Sequence, residues 1–253
     1  MKIGVIADVH GNAPALQAVL NEFDMRQDIE HIYCLGDMIG IGPDSNEVLA
    51  ILFARNDVSM ITGNHDEAVL ALLKGGEYPV SHTHAKEHHQ WIADHLDKRF
   101  ITPLEQLSRI ITVTIEGKSI LFIHYHMEHA KRDEHISKDP FSEIVEPGLD
   151  HLISLFKGNE ADLICFGHHH PIHFFEGKDT IFLNPGSLGC NSKPAAPYSV
   201  VELAKDNITV RLEAASYDNT KFLESYEVLQ VPQRDFLMKA FHGNQCRGRR
   251  EKS

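Results

Sequence analysis

The chain has a single tryptophan and four cysteines among 253 residues. The cysteines, at positions 34, 165, 190 and 246, form no Cys-x-x-Cys pair. Cys34 and Cys165 lie inside apolar runs and read as reduced packing residues. No cysteine is placed to act as a nucleophile. Trp91 falls in the apolar pattern of a helix and reads as core or lid packing rather than a base-stacking platform. The N-terminal apolar run, Ile3 to Ala7, is far too short for a signal core or a membrane span, so a cytoplasmic location and no membrane partner are expected. Positive charge is also scarce: 24 Lys and Arg stand against 36 Asp and Glu, a net charge of −12. That balance argues against duplex nucleic acid, which demands a basic stripe to displace counterions. It leaves a phosphate substrate open, because bound divalent cations invert the local field. There is no internal repeat and no low-complexity linker, so residues 1–242 are expected to form a single domain. The charged stretch 243–253 lacks an apolar period and is expected to be disordered.

What the chain has in quantity is histidine, 18 residues, on an ordinary apolar content of 42%. The first third reads as repeated strand–loop–helix units. A buried strand at 2–7 precedes a helix at 13–23, whose Leu16, Val19, Leu20 and Phe23 recur at helical spacing. A strand at 31–35 precedes a helix near 45–55, and a strand at 58–61 follows. The stretch 67–107 is mostly helical, broken at Gly75-Gly76 and Tyr78-Pro79. Residues 110–115 and 119–124 flank Glu116-Gly117-Lys118 as a hairpin. Residues 125–147 are polar and read as a loop over the site. A short helix at 149–156 and a strand at 163–166 follow, then strands at 172–175, 180–183, 198–203 and 208–213, and one or two closing helices over 219–241. The expected fold is α/β: two packed mixed β-sheets flanked by helices.

Each early strand ends on residues able to bind hard metals. Asp8-Val9-His10 follows the first, Gly36-Asp37 the second and Gly63-Asn64-His65-Asp66 the third. His124 ends the hairpin, and Gly167-His168-His169-His170 ends a later strand. Ligands collect at the loops beyond the carboxyl ends of such strands. Each segment alone has a plain reading as a turn or helix cap, but five in this order rarely coincide. Mixed carboxylate and imidazole donors suit Mn, Fe, Zn or Ni better than Mg or Ca.

The set resembles the calcineurin-like metallophosphoesterase superfamily, whose motifs read D-x-H, G-D, G-N-H-D/E, H and G-H-x-H. Ala7 to Asn12, Gly36 to Pro43 and Asn184-Pro185-Gly186-Ser187 are similar to its small prokaryotic phosphodiesterase branch. The resemblance implies a four-layer sandwich and two divalent ions. It puts Asp8, His10 and His170 on one ion, Asn64, His124 and His168 on the other, and Asp37 between them. His65 would be a general acid or stabilise phosphoryl charge, with Asp66 orienting its ring. The implied reaction is hydrolysis of a phosphodiester or phosphoanhydride by a hydroxide held between the ions. A small nucleotide is the expected substrate class, with dinucleoside polyphosphates among the specific possibilities. A catalytically silent scaffold of the same fold and a histidine-rich metal store are the rivals; intact ligand positions and their placement at strand ends count against each.

Some residues keep two readings. Tyr125-His126-Met127-Glu128-His129 is either a polar loop beside the site or, through His126 or His129, a contact to substrate phosphate or a third ion. Glu67 and the cluster His82, His84, His88 and His89 are the further donors such an ion would need. Asn12 and Asn184 either hold substrate or order the loops. The sequence leaves the oligomeric state open.

Overall fold

The computed structural model describes residues 1–245. In chain order the regular elements are β1 (Lys2–Ile6), α1 (Ala13–Met25), β2 (His31–Cys34), α2 (Ser45–Phe53), β3 (Val58–Met60) and α3 (Asn64–Leu73). Then come α4 (Lys86–His95), α5 (Ile101–Glu105), β4 (Ile110–Ile115), β5 (Lys118–Ile123), α6 (Leu149–Leu155), β6 (Leu163–Cys165), β7 (His173–Glu176) and β8 (Ile181–Asn184). The long strands β9 (Ala195–Ala204) and β10 (Asn207–Ser216) and helices α7 (Thr220–Val228) and α8 (Arg234–Phe241) complete the set. One sheet has the order β10-β9-β1-β2-β3 and the other β4-β5-β6-β8-β7. Strands β1, β2 and β3 are parallel, as strand–loop–helix units require, and β9 joins β1 antiparallel.

The alternation of side chains along the strands builds the layers. Ile3 and Val5 of the first strand, with Ala7 just past its end, pack with Tyr33, Leu35, Ile120, Phe122, Leu163, Cys165 and Leu183 between the two sheets. Their neighbour Ile6 points the other way, into the core beneath helices α1 to α5. On the second sheet Leu121, Ile123 and Ile164 likewise turn outward, against Leu152 and Phe156 of the α6 region. The result is helices, sheet, sheet and helix. At the centre the Tyr33 and Phe122 rings stack 3.8 Å apart at an interplanar angle of 8°. Cys34 and Cys165 are free and buried, as expected of packing residues, and burial pushes both thiols up.

Every parallel strand opens at its carboxyl end toward the same edge. There the loops are tied together: Asp8 N–H donates to Gly36 O at 3.1 Å, His10 N–H to Asp37 O at 2.9 Å, and Gly167 N–H to His124 O at 2.8 Å. Ser187 of the Asn-Pro-Gly-Ser turn donates its hydroxyl to Asp8 O at 2.8 Å. At the other end of the chain, Asn244 N–H bonds Met238 O at 3.0 Å and Gln245 N–H bonds His242 O at 3.3 Å. The rest of the expected tail, from 246 on, lies outside the described residues. Among those described, no helix is long and apolar enough to cross a membrane.

Because Phe122 is fully buried and stacks between the sheets, Phe122→Ala should lower unfolding free energy by about 3–5 kcal/mol, the range for aromatic truncation in cores. Urea titration followed by circular dichroism would measure it. A loss below about 1 kcal/mol would mean that the sheets do not meet through this pair.

Candidate metal centre

Four of the donor-bearing residues sit in the left-handed backbone region: Asp8 at φ 53°, His10 at 47°, Asp37 at 50° and His168 at 67°. Side chains other than glycine rarely adopt that conformation, and it persists only where surrounding contacts enforce it. Here the inter-loop hydrogen bonds enforce it and turn the side chains inward. Space is reserved for them too, since a Cβ at Gly63 would lie 2.2 Å from Asp37 Oδ1. Asp37 also accepts His65 N–H at 2.8 Å, and Asp8 accepts His168 N–H at 3.1 Å.

The expected donors converge. Asp8, His10 and Asp37 bring ligand atoms within 4.8 Å of one another, and so do Asp37, His124 and His168. His10 Nε2 faces His170 Nε2 at 3.1 Å. Asn64 Oδ1 lies 2.8 Å from His124 Nε2 and 2.7 Å from His168 Nδ1. Backbone carbonyls fix the ring tautomers: His124 Nδ1–H donates to Leu35 O at 2.7 Å and His10 Nδ1–H to Ile39 O at 3.3 Å. Each neutral ring is then left with a bare Nε2 aimed inward. For His124 that lone pair meets two acceptors, Asn64 Oδ1 and, at 3.2 Å, Asp37 Oδ2. Acceptors this close repel unless a proton or a cation lies between them, so the donor set fits divalent metal.

The electrostatics agree. Burial lifts Asp8 to about 7, with His124 pulling against it and Asp37 adding to it. Burial also works against charge on Asp37, yet His124, His65 and His10 together hold it well below the ordinary carboxylate range. Burial lowers His10 to about 4 and His168 to about 3, leaving neutral rings, the form that ligates metal. His124 is the exception: burial opposes its charge, but Asp37 and Asp8 raise it to about 9, so near neutral pH the gap between Nε2 and its two acceptors holds a proton that a metal ion would have to displace.

Several expectations fail here. Asp66 does not orient His65. Its carboxylate accepts Ile39 N–H at 3.1 Å and Gly63 N–H at 3.0 Å, because at the third position of α3 it folds back to cap the helix start. Adjacent residues on a helix do not face each other, and the His65 ring turns instead to His89. Of the two readings of Asn12 and Asn184, the contacts are those of loop ordering: both are fully buried and do not present their amides to a substrate. Asn12 donates to Gly189 O at 2.8 Å and caps α1 through Ala15 N–H. Asn184 donates to His169 O at 2.6 Å and accepts Gly186 N–H at 2.8 Å, holding the histidine loop.

The groups that suggested a third ion scatter. His126 Nδ1 lies 2.8 Å from Ser142 Oγ, in a hollow shared with Glu128, Glu146 and His151. His129 is exposed, and Glu67 is paired with Arg109 at 2.5 Å. His84 faces solvent, while His88 is buried against Trp91. Among the described residues, none of them joins a cluster that could hold metal. Cys190, which carries no motif, stands beside His10 and His170. His82, one of the donors considered for a further ion, instead accepts through Nε2 from Asn64 Nδ2 at 2.7 Å and so turns Oδ1 toward the site.

Asn184→Ala would leave the His169 carbonyl and the Gly186 N–H without partners inside the protein. We expect about 1–3 kcal/mol lower stability and faster loss of metal to a chelator. Unchanged chelation kinetics would detach Asn184 from the centre.

The chain is 27% identical over 243 residues to an uncharacterised protein of Methanocaldococcus jannaschii, covering 91% of this chain and 94% of that one. A metallophosphoesterase from Sphaerobacter thermophilus shares the fold, with a TM-score of 0.68, 21% identity, and 92% and 96% of the two chains covered. A shorter likeness, 36% identical over 76 residues, links it to the symmetrical bis(5'-nucleosyl)-tetraphosphatase of Erwinia tasmaniensis; it covers 30% of this chain and 28% of that protein. The model of the calcineurin-like phosphoesterase superfamily domain matches residues 1–206, most of the chain, and the chain belongs to that family.

Proposed function

We propose that the protein is a two-metal hydrolase of a small phosphodiester or phosphoanhydride, with nucleotides as the substrate class. The observation that carries this reading is the inward convergence of seven buried or half-buried donors on strand-end loops. Asp8, His10 and His170 would hold one divalent transition ion and Asn64, His124 and His168 the other, with Asp37 shared. Such ions supply charge for the phosphoryl oxygens and bring the acidity of the attacking water near neutral pH.

The chain's own residues do the rest. Neutral His10 and His168 offer lone pairs without first losing a proton. The Leu35 and Ile39 carbonyls keep the His124 and His10 rings from rotating away. His65 packs edge-on against His10, with ring centroids 5.0 Å apart, where it can hand a proton to a departing oxygen. The net charge of −12 disfavours long polyanions and favours a small substrate. The partial likeness to a bis(5'-nucleosyl)-tetraphosphatase favours a phosphoanhydride between nucleosides as the first natural candidate.

The test is hydrolysis of bis-p-nitrophenyl phosphate by chelator-stripped protein reloaded with manganese, with Asp37→Asn as the control. The wild type should turn over. The variant should lose at least about 100-fold, the upper end of what even outer-shell changes cost at metal sites. If wild-type protein with measured occupancy by manganese, iron, nickel and zinc in turn cleaves neither this ester nor dinucleoside polyphosphates, the reading fails.

A further inference from the structure

Two histidines of the 78–89 segment turn down onto the centre, and one of them meets the residue read above as proton donor. His65 Nδ1 lies 2.8 Å from His89 Nε2, and His89 Nδ1 lies 2.8 Å from the Tyr78 hydroxyl. The Tyr78 hydroxyl in turn donates to the His82 carbonyl at 3.1 Å. His89 is fully buried. Gly40 lies against the Cβ, Cγ and Nδ1 atoms of His65, where a Cβ would come within 2.6 Å of the side chain. Its left-handed φ of 126° also favours glycine there, so the ring has one slot.

The Tyr78 hydroxyl has one proton and two neighbours, the His82 carbonyl, which can only accept, and His89 Nδ1, which can also donate. Both contacts are satisfied together only when the phenolic proton goes to His82 O. The Tyr78 oxygen must then accept from His89, which places the one proton of a neutral His89 on Nδ1. His89 Nε2 is left bare and accepts the Nδ1–H of His65. In its neutral form His65 therefore has a bare Nε2, the nitrogen on the far side of the ring from His89. Burial favours the neutral form of His89, lowering it to about 3.

We propose that His89, backed by Tyr78, is the positioning residue of His65. It holds Nδ1–H in place, so that the second proton of an imidazolium His65 sits on Nε2, passes from there to the departing oxygen and leaves the neutral Nδ1–H ring behind. The inference rests on the reading of His65 as proton donor, and it assigns the role that Asp66 cannot fill because its oxygens cap α3. It also gives the 78–89 histidines a use other than binding a further ion. A tautomer locked from behind is the requirement for a histidine that must present one defined nitrogen to its substrate.

The experiment is long-range ¹H–¹⁵N correlation of histidine-labelled, zinc-loaded protein, with rates on two leaving groups measured in parallel. In the wild type, His65 and His89 should both carry their neutral proton on Nδ1. In His89→Ala, His65 should shift toward the Nε2–H form that free imidazole side chains favour. In the same variant kcat should fall about 10-fold or more further on an alkoxide-leaving phosphodiester than on a p-nitrophenolate one, because only the former needs a proton donor. His89→Gln, whose amide oxygen can accept from His65, should recover most of that difference. If His89→Ala does not fold, Tyr78→Phe removes the acceptor behind His89 and should abolish the single tautomer at His65. The proposal is overturned if wild-type His65 carries its proton on Nε2, or if the folded variant keeps the wild-type tautomer. Equal losses on both leaving groups would overturn it as well. The ring tautomers are read without turnover, so an inactive wild type would defeat the proposed function while the positioning role is still decided.

Discussion

Asp8 and Asp37 lie out of water at the centre of the molecule, and the positive charge that offsets theirs comes from histidines. Burying two carboxylates so close together is costly unless positive charge and hydrogen bonds compensate. The strand-end loops supply that compensation. Parallel strands bring Asp8, Asp37 and Asn64 to one edge of the first sheet, and β5 and β6 of the second bring His124 and the 168–170 loop to meet them. The left-handed turns at Asp8, His10, Asp37 and His168 are tolerable because hydrogen bonds from one loop to the next hold each in place. The two sheets and their shared apolar core are the rigid support that such a centre needs.

Around this centre the remaining polar residues act mainly on each other. Asn12 and Asn184 tie loops, Asp66 caps α3 and the Leu35 and Ile39 carbonyls orient rings. His82 turns the Asn64 amide, and His89 turns His65. Both of the latter come from one short stretch of chain, so the docking of residues 82–89 against α3 sets a candidate ligand and a neighbouring imidazole at once. Substitutions in that stretch should therefore act on the centre without replacing any donor.

The gathering of the candidate donors at strand ends and the layers were legible in the sequence for the same reason. A strand that alternates Ile3, Val5 and Ala7 on one face announces both its burial and where it ends, and the donor follows at that end. Strand and helix limits fell within a few residues of the expected ones, and β9 and β10 extend further than their apolar cores suggested. Roles that depend on tertiary docking were not legible. Asp66 beside His65 looked like a partner because it is adjacent in sequence, but the helix geometry sends the two side chains apart. His89 is 24 residues from His65, and nothing in its spacing distinguished it from His84 or His88, which face elsewhere. Cys190 carried no motif, and only the fold sets it beside His10 and His170.

The proposed function requires this donor set to bind two ions in adjacent, distinct positions. Anomalous X-ray diffraction from crystals of manganese-loaded protein would show them. Two peaks per chain are expected, one bounded by Asp8, His10 and His170 and the other by Asn64, His124 and His168, with Asp37 reaching both. A single peak, or ions held by His126, His129 or the 82–89 histidines instead, would contradict it.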